Sequence, residues 1–380
     1  MNVSSSPSLA IVSTFPPTAC GLATFAAALA GGLSKNGVTD IGVVRCAVDS
    51  LPVRDDRVIT TLEPGRAHSI KEAAIALNSF DCVFLQHEFG IFGGDDGDDV
   101  VRLIDHLDVP LVTTLHTIPT RPTAHQRTTL ERVIADSDRV VTMTGAARDR
   151  LLTLYDVDPR DVVTIPHGAT LPPPVAPRTA PIPTVLTWGL LGPGKGIEWV
   201  IDALAEVSDV LPQITYLVAG RTHPKVKARD GESYRDFLKE RSRQCGVEAR
   251  VAFDQIYRDV PELIELVRSA SVVVLPYDSD DQVTSGVLVD AVAAGVPVIA
   301  TDFPHARELL SDGAGIVVPH RDPDSIARAL RTILTHPNIA RDMRRRAEEL
   351  AHLHDWSRVA ADYLDLVPSV ARVSDRAVAS

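Results

Sequence analysis

Between residues 184 and 204 the chain reads TVLTWGLLGPGKGIEWVIDAL. An apolar run gives way to Gly192, Pro193, Gly194, Lys195 and Gly196. Apolar residues then recur at Ile197, Val200, Ile201, Leu204 and Val207, along one face of a helix. A strand, a glycine-rich turn and a helix start can together hold an anion. The glycines let the backbone come close, and the first amides of a helix have no partner and carry partial positive charge. Lys195 adds a cation on a flexible stem, suited to a phosphate. Gly189, four residues, Gly194 and Lys195 nearly make a nucleoside-triphosphate P-loop, but Gly196 stands where a Ser or Thr would hold magnesium. The same residues also suit a plain strand-to-helix turn with a solvated lysine.

A second loop, in LPYDSDDQVTSGVLVDAVAAGVPVIATDFPHARELL (275–310), has the same logic. A strand ends at Tyr277, an acidic loop follows, and a helix starts near Thr284, Ser285 and Gly286, with either hydroxyl able to cap it. Gly295 ends that helix. The amides of 285–288, including Gly286 and Val287, are expected to leave the sheet's carboxyl edge as a diphosphate site. Asp290, more than a turn into the helix, can accept hydrogen bonds from a ribose diol or can simply be solvated.

Earlier in the chain, FDCVFLQHEFGIFGGDDGDDV places Gln86, His87 and Glu88 just past a strand, and His116 follows the next strand. Two histidines leaving adjacent strands can face one site. A metal would need further carboxylates from Glu88 or the stretch 95–99 at fixed geometry. The expectation is no metal, with 95–99 a solvated or acceptor-facing loop. The stretch 221–244 has eight Lys and Arg against four Asp and Glu and reads as a solvated helix face. Its opening residues, Arg221, Thr222 and His223, sit at a strand's carboxyl end, where they can face a donor.

These residues need a frame to converge on. Short β-branched runs alternate with longer helical periods on both sides of LPPPVAPRTAPIP (171–183), which has six prolines in thirteen residues. Nearly continuous apolar strands suit parallel sheets covered on both faces. The expectation is α/β: two doubly wound Rossmann-like domains facing across a cleft, with ligands at the carboxyl ends of the strands. The boundaries are 1–170, a linker at 171–183, a second domain at 184–355, and a last helix at 356–380.

The totals exclude other classes. A formal charge of −12 over 380 residues argues against nucleic acid held by backbone neutralisation. The four cysteines are scattered, without a paired motif, and read as free buried thiols in a reducing compartment. No stretch of about 18 apolar residues could span a bilayer, and the N-terminal residues, with no basic n-region and a short apolar run, are not expected to act as a signal peptide. A cytoplasmic protein is expected, with a transient visit to the inner membrane face compatible with a lipid-linked acceptor.

The Gly-rich loop with Lys195, followed some ninety residues later by SGVLVDAVAAGVPVIAT, resembles the retaining glycosyltransferases of the GT-B fold, family four. LQHEFGIFGG, TTLHT, GLLGPGKGIE, GRTHPKV and QVTSGVLVDA together resemble one bacterial branch of it. The likeness spans roughly residues 9–355. It implies a hexose, mannose or glucose, moved with retention from a nucleotide-diphosphate sugar to a hydroxyl of a sugar, glycan or lipid-linked acceptor. No bound cofactor is implied. Gly21 falls in the family's first loop, and His116 in its histidine motif. Gln282 and Asp290 fall where the family has a pair of glutamates. On this resemblance His116, Lys195 and Gln282 are catalytic. The donor diphosphate meets Gly21, Gly194, Lys195, Arg221, Thr284, Ser285, Gly286 and Val287, and the ribose or base meets Asp290. Acceptor or sugar contacts come from His87, Glu88, Thr222 and His223. The last helix would cross back to the first domain. Leu190 stands where many relatives carry an arginine for the diphosphate, and Arg221 is the candidate substitute. Two alternatives share the fold: a nucleotide-sugar epimerase or phosphorylase-like enzyme, and a non-catalytic nucleotide-sugar-binding protein.

Overall fold

Runs rich in Val, Ile and Leu form strands that are buried on both faces, as parallel sheets between helices require. The computed structural model describes residues 6–173, 182–208, 211, 213–256, 258–279 and 281–367. The chain divides into two units, Met1–Gly168 with Asp355–Ser380, and Ala169–His354.

The first unit holds seven parallel strands, β1 (Leu9–Ser13), β2 (Ile41–Cys46), β3 (Val58–Leu62), β4 (Cys82–His87), β5 (Leu111–Leu115), β6 (Arg139–Thr142) and β7 (Val162–Thr164), in the order β3-β2-β1-β4-β5-β6-β7. The second holds six, β8 (Thr184–Trp188), β9 (Thr215–Ala219), β10 (Val251–Asp254), β11 (Val272–Leu275), β12 (Val298–Thr301) and β13 (Gly315–Val318), in the order β10-β9-β8-β11-β12-β13. Strand order reverses between β1 and β4 and again between β8 and β11. At such points the connecting loops diverge and leave a crevice at the carboxyl edge.

β3 is absent from the strands read in the sequence. It is an edge strand, VITTL, whose pattern is mostly half-exposed. One-sided burial does not demand the continuous apolar run that marks the central strands, and the two threonines break the pattern.

The helix Trp356–Leu364 packs on the helix Gly21–Lys35 of the first unit. Trp356 lies edge-on to Phe25 at 4.9 Å, and the Tyr363 hydroxyl bonds Thr114 Oγ1 at 2.8 Å. Gly168 is needed beneath it, because a Cβ there would come within 2.4 Å of the Trp356 ring. Of the expected linker, 174–181 lie outside the described residues, as do 368–380 of the last segment. Among the described residues no helix is long and apolar enough to cross a membrane. Cys46 and Cys82 are buried free thiols, whereas Cys20 and Cys245, also free, are only half-buried.

Candidate functional site

In the second unit the two loops at the β8/β11 reversal are locked together. Gly196 has φ +65°, and a Cβ there would stand 1.8 Å from the Pro276 carbonyl oxygen, so only glycine fits. Asp278 N donates to Gly194 O at 2.9 Å, and Trp199 Nε1 donates to Asp278 Oδ1 at 2.9 Å. The Gly-rich loop is therefore a braced element, and Lys195 leaves it from a fixed base.

Lys195 Nζ sits 4.4 Å from the centre of the Tyr277 ring. Among the described residues no carboxylate pairs with it, and burial lowers its pKa from the usual lysine value. The ring face offers partial compensation. Tyr277 is itself buried and stacks on Phe303 at 5.6 Å, with its hydroxyl near the Ser285 side chain. The Tyr277 ring thus lies against the Lys195 ammonium, at the strand end that leads through the acidic loop to the helix Gly286–Ala293. A cavity of about 390 Å³ opens there, lined by Gly194, Lys195, Tyr277, Asp278, Ser279 and Gln282 among others.

The helix start differs in detail from the sequence reading. Ser285 is the cap, its Oγ accepting from Leu288 N at 3.3 Å, while Thr284 Oγ1 is buried without a partner among the described residues. Ser285 N donates to His305 Nδ1 at 2.8 Å. Two of the four expected amides, 285 and 288, are therefore engaged internally, and those of Gly286 and Val287 are left for an anion. His305, buried on the helix Pro304–Leu310, was not foreseen. Its contact joins two helix starts twenty residues apart, and no local spacing encodes that.

Other candidates have different positions. Gln282 lines the cavity and donates through Nε2 to Thr284 O at 3.1 Å. Asp290 is half-buried rather than solvated, and desolvation pushes its pKa up to about 7. Arg221 is exposed and donates to Gln255 O at 3.3 Å, and it is not among the residues lining the cavity. The Thr222 hydroxyl donates to Glu232 Oε2 at 2.5 Å. His223 Nδ1 caps the helix Pro224–Asp230 by accepting from Lys225 N at 3.2 Å. Its pKa is lowered by burial and by the charges of Lys225 and Lys195, so it lies near the cavity lysine. The stretch 221–244 is two helices broken at Gly231, not one solvated face, and Arg235 is buried within it.

In the first unit the β1/β4 reversal brings a glycine and several imidazoles to one sheet edge. Gly21 opens the helix Gly21–Lys35, capped by Cys20 Sγ accepting from Ala23 N at 3.4 Å. A Cβ at Gly21 would meet nothing within 4 Å, so the approach to the first amides is open. His116, just past β5, is half-buried and faces Gln86 Oε1 at 2.8 Å. A carboxamide oxygen only accepts, so Nε2 of the ring carries the proton and Nδ1 is the acceptor. Burial, with smaller effects from His167 and His87, pushes its pKa down to about 3. Phe25 touches both His116 and His167, at 5.0 and 5.1 Å. His167, after β7, is a site-edge residue the sequence reading passed over, because a lone histidine beside a proline carries no spacing signal.

His87 ends β4. It is wholly buried, 5.0 Å from Phe89 and stacked on Phe92 at 6.3 Å, with both ring nitrogens unpartnered among the described residues. Burial lowers its pKa to about 4. Glu88 accepts the Thr117 hydroxyl at 2.5 Å. The stretch 95–99 is not a free loop: Asp99 is buried and accepts from Gly65 N at 2.8 Å, and Asp96 accepts from Gln126 Nε2 at 3.2 Å. Among the described residues no group of three or more His, Cys, Asp or Glu is placed to hold a metal ion.

Two family models match the chain: Glycosyltransferase Family 4 over residues 20–171 and Glycosyl transferases group 1 over residues 179–350. A D-inositol 3-phosphate glycosyltransferase of Kineococcus radiotolerans is 29% identical over 313 residues, covering 72% of this chain and 68% of that one. A phosphatidyl-myo-inositol mannosyltransferase of Mycolicibacterium smegmatis is 31% identical over 179 residues, covering 47% and 42%. The chain spans about two thirds, or less, of the length of the inositol-phosphate relatives it matches. Among solved structures, the sucrose-phosphate synthase of Thermosynechococcus elongatus aligns with a TM-score of 0.75 at 19% identity, covering 95% and 98%. HepE of Anabaena, in complex with UDP and glucose, aligns with a TM-score of 0.73 at 16% identity, covering 96% and 100%. At these identities the structural likeness is one of fold.

Proposed function

Because the chain belongs to family four of the GT-B glycosyltransferases, enzymes that move a sugar from a nucleotide-sugar donor, we propose that it transfers a hexose, mannose or glucose, to an acceptor hydroxyl with retention of configuration. The observation that supports this reading is the braced Gly-rich loop, which sets the desolvated Lys195 ammonium in a cavity shared with Gly194, Tyr277 and Gln282, on the loop that leads into the helix start at Gly286.

As the glycosidic C–O bond breaks, negative charge builds on the departing diphosphate. Preorganised donors aimed at developing charge in a desolvated site lower that barrier most effectively. Lys195 and the amides of Gly286 and Val287 meet the diphosphate. Gly21, at its open helix start, is a further candidate amide for the donor diphosphate. The departing phosphate oxygen takes the acceptor proton on the face where the new bond forms, so retention needs no separate protein base. His116, neutral at pH 7, accepts a sugar hydroxyl at Nδ1 and orients it. Asp290 receives the ribose diol, and Gln282 stands beside the transferring sugar. Arg221 is the further candidate for the diphosphate. The bound UDP of HepE makes a uridine donor the first to test, with guanosine second.

Lys195→Ala tests the reading. Transfer from a UDP- or GDP-hexose should fall about a hundredfold or more, the usual cost of losing one preorganised donor to developing charge. The melting temperature should barely move. Nucleoside diphosphates should raise that temperature in the wild type by mass action, and much less in the variant. Wild-type turnover in the variant would remove Lys195 from the reaction. Nucleotide binding without turnover on any acceptor would leave only a binding protein, and an isomerised donor would indicate an epimerase.

A further inference from the structure

A second cavity in the first unit, of about 580 Å³, has no part in the reading above. That volume is ordinary for a small-molecule site. It opens at the carboxyl ends of β2 and β3, the same sheet edge that carries His116, because every strand of the sheet is parallel. Neighbouring strands are spaced about 4.8 Å, so three steps from β2 to β5 place it roughly 14 Å along the edge from His116.

Its floor is a buried guanidinium. The Arg45 side chain is 3% exposed, donating Nε to Phe15 O at 3.4 Å and Nη2 to Thr18 Oγ1 at 2.8 Å and to the Asp49 carboxylate. Its Nη1 has no partner among the described residues. Burial works against the charge of Asp49, but hydrogen bonds from Thr18, Leu51 N and Arg45 outweigh it and hold its pKa below the usual value. The Ser50 and Thr61 hydroxyls line the cavity uncommitted to other side chains among the described residues. Glu63 lines it too, beside Arg66 at 2.6 Å, and Leu51 and Pro64 give apolar walls. Donors and acceptors thus alternate beside an apolar face. Arg45 is paired with Asp49 and Glu63 with Arg66, so the lining offers no unpaired cation.

We propose that this cavity is a distal acceptor subsite for an uncharged polyol ring, a pyranose or cyclitol unit separated from the hydroxyl that reacts beside His116. Ring hydroxyls pair with Arg45 Nη1, Asp49, Ser50 and Thr61, and the C–H face lies on Leu51 and Pro64. A phosphate in the same place would face Glu63 and an already paired guanidinium. The subsite therefore selects an extended acceptor whose distal unit carries no phosphate. It rests on the transferase reading above, but its test does not depend on turnover.

Saturation-transfer NMR on the full chain tests it, with methyl α-glucoside, methyl α-mannoside and myo-inositol against glucose 6-phosphate and myo-inositol 3-phosphate. At least one neutral ring should bind near about 10 mM, with the phosphates about tenfold weaker. Thr61→Trp, which fills the cavity, should abolish the signal while UDP still raises the melting temperature. Glu63→Lys, on an exposed side chain, should bring the phosphates level with the neutral rings, and it serves if the tryptophan variant does not fold. Tighter binding of the phosphates to the wild type, a signal that survives Thr61→Trp, or no neutral ring bound at all overturns the proposal. Loss of the UDP shift in the wild type would instead count against the transferase reading.

Discussion

Asp290 shows how a side chain's surroundings set its behaviour. Its carboxyl, raised by desolvation to about 7, holds a proton that an unfolded aspartate near 3.8 has already lost. The folded state therefore binds more protons between those two values. The stabilisation is full below about pH 3.8 and is lost as pH rises through about 7. Asp290→Asn keeps the shape and removes the titration. Between pH 5 and pH 8 the wild type should lose stability, on the order of a few kcal/mol, that the variant does not lose. Urea titrations at both pH values, with the difference between proteins taken at each, separate Asp290 from His223, whose lowered pKa acts in the opposite direction. Equal differences at the two pH values would mean that the carboxyl is ionised throughout. The residue types at Lys195, His116 and Asp290 announced chemistry in the sequence. His305 and Tyr277 did not, because their roles come from contacts across the β8/β11 reversal that no local spacing records.

At the level of elements, two glycines at loop-to-helix turns have opposite reasons for being small. Gly196 has a left-handed backbone and no room for a Cβ, so Gly196→Ala should cost at least about 2 kcal/mol and loosen the brace between the two loops. Gly21 has open space around it, so Gly21→Ala should change stability by no more than about 0.5 kcal/mol. If transfer nevertheless falls in Gly21→Ala, the methyl group obstructs a ligand rather than the fold. Chemical denaturation alongside turnover separates these effects, and equal destabilisation by both changes would contradict the turn geometry. Both loops were legible as Gly-rich turns between strand and helix, since glycine and apolar period are local signals. The reduction of the anion site to Gly286 and Val287 was not, because a distant imidazole occupies the Ser285 amide. β3 was missed for a related reason: an edge strand is specified by its single neighbour more than by its own pattern.

For the whole chain, the path out of the first unit at Gly168 and back into it at Asp355 makes the C-terminal segment a structural part of a domain that began at the other end. Ala169 N donates to His354 O at 2.6 Å, so the two crossings are tied to each other. Beyond that tie, Trp356, Val359, Ala360 and Tyr363 complete the core over the helix Gly21–Lys35. Ending the chain at His354 would expose that core, removing several large buried side chains worth roughly 2 kcal/mol or more each. The second unit loses none of its own core. Calorimetry of the truncated chain should therefore show the first unit's transition lowered by more than about 10 °C or absent. The transition of the unit carrying Lys195 should remain and should still rise on adding UDP. An unchanged first transition would mean that the last helix adds nothing to the fold. Loss of both transitions would mean that the two units do not unfold separately.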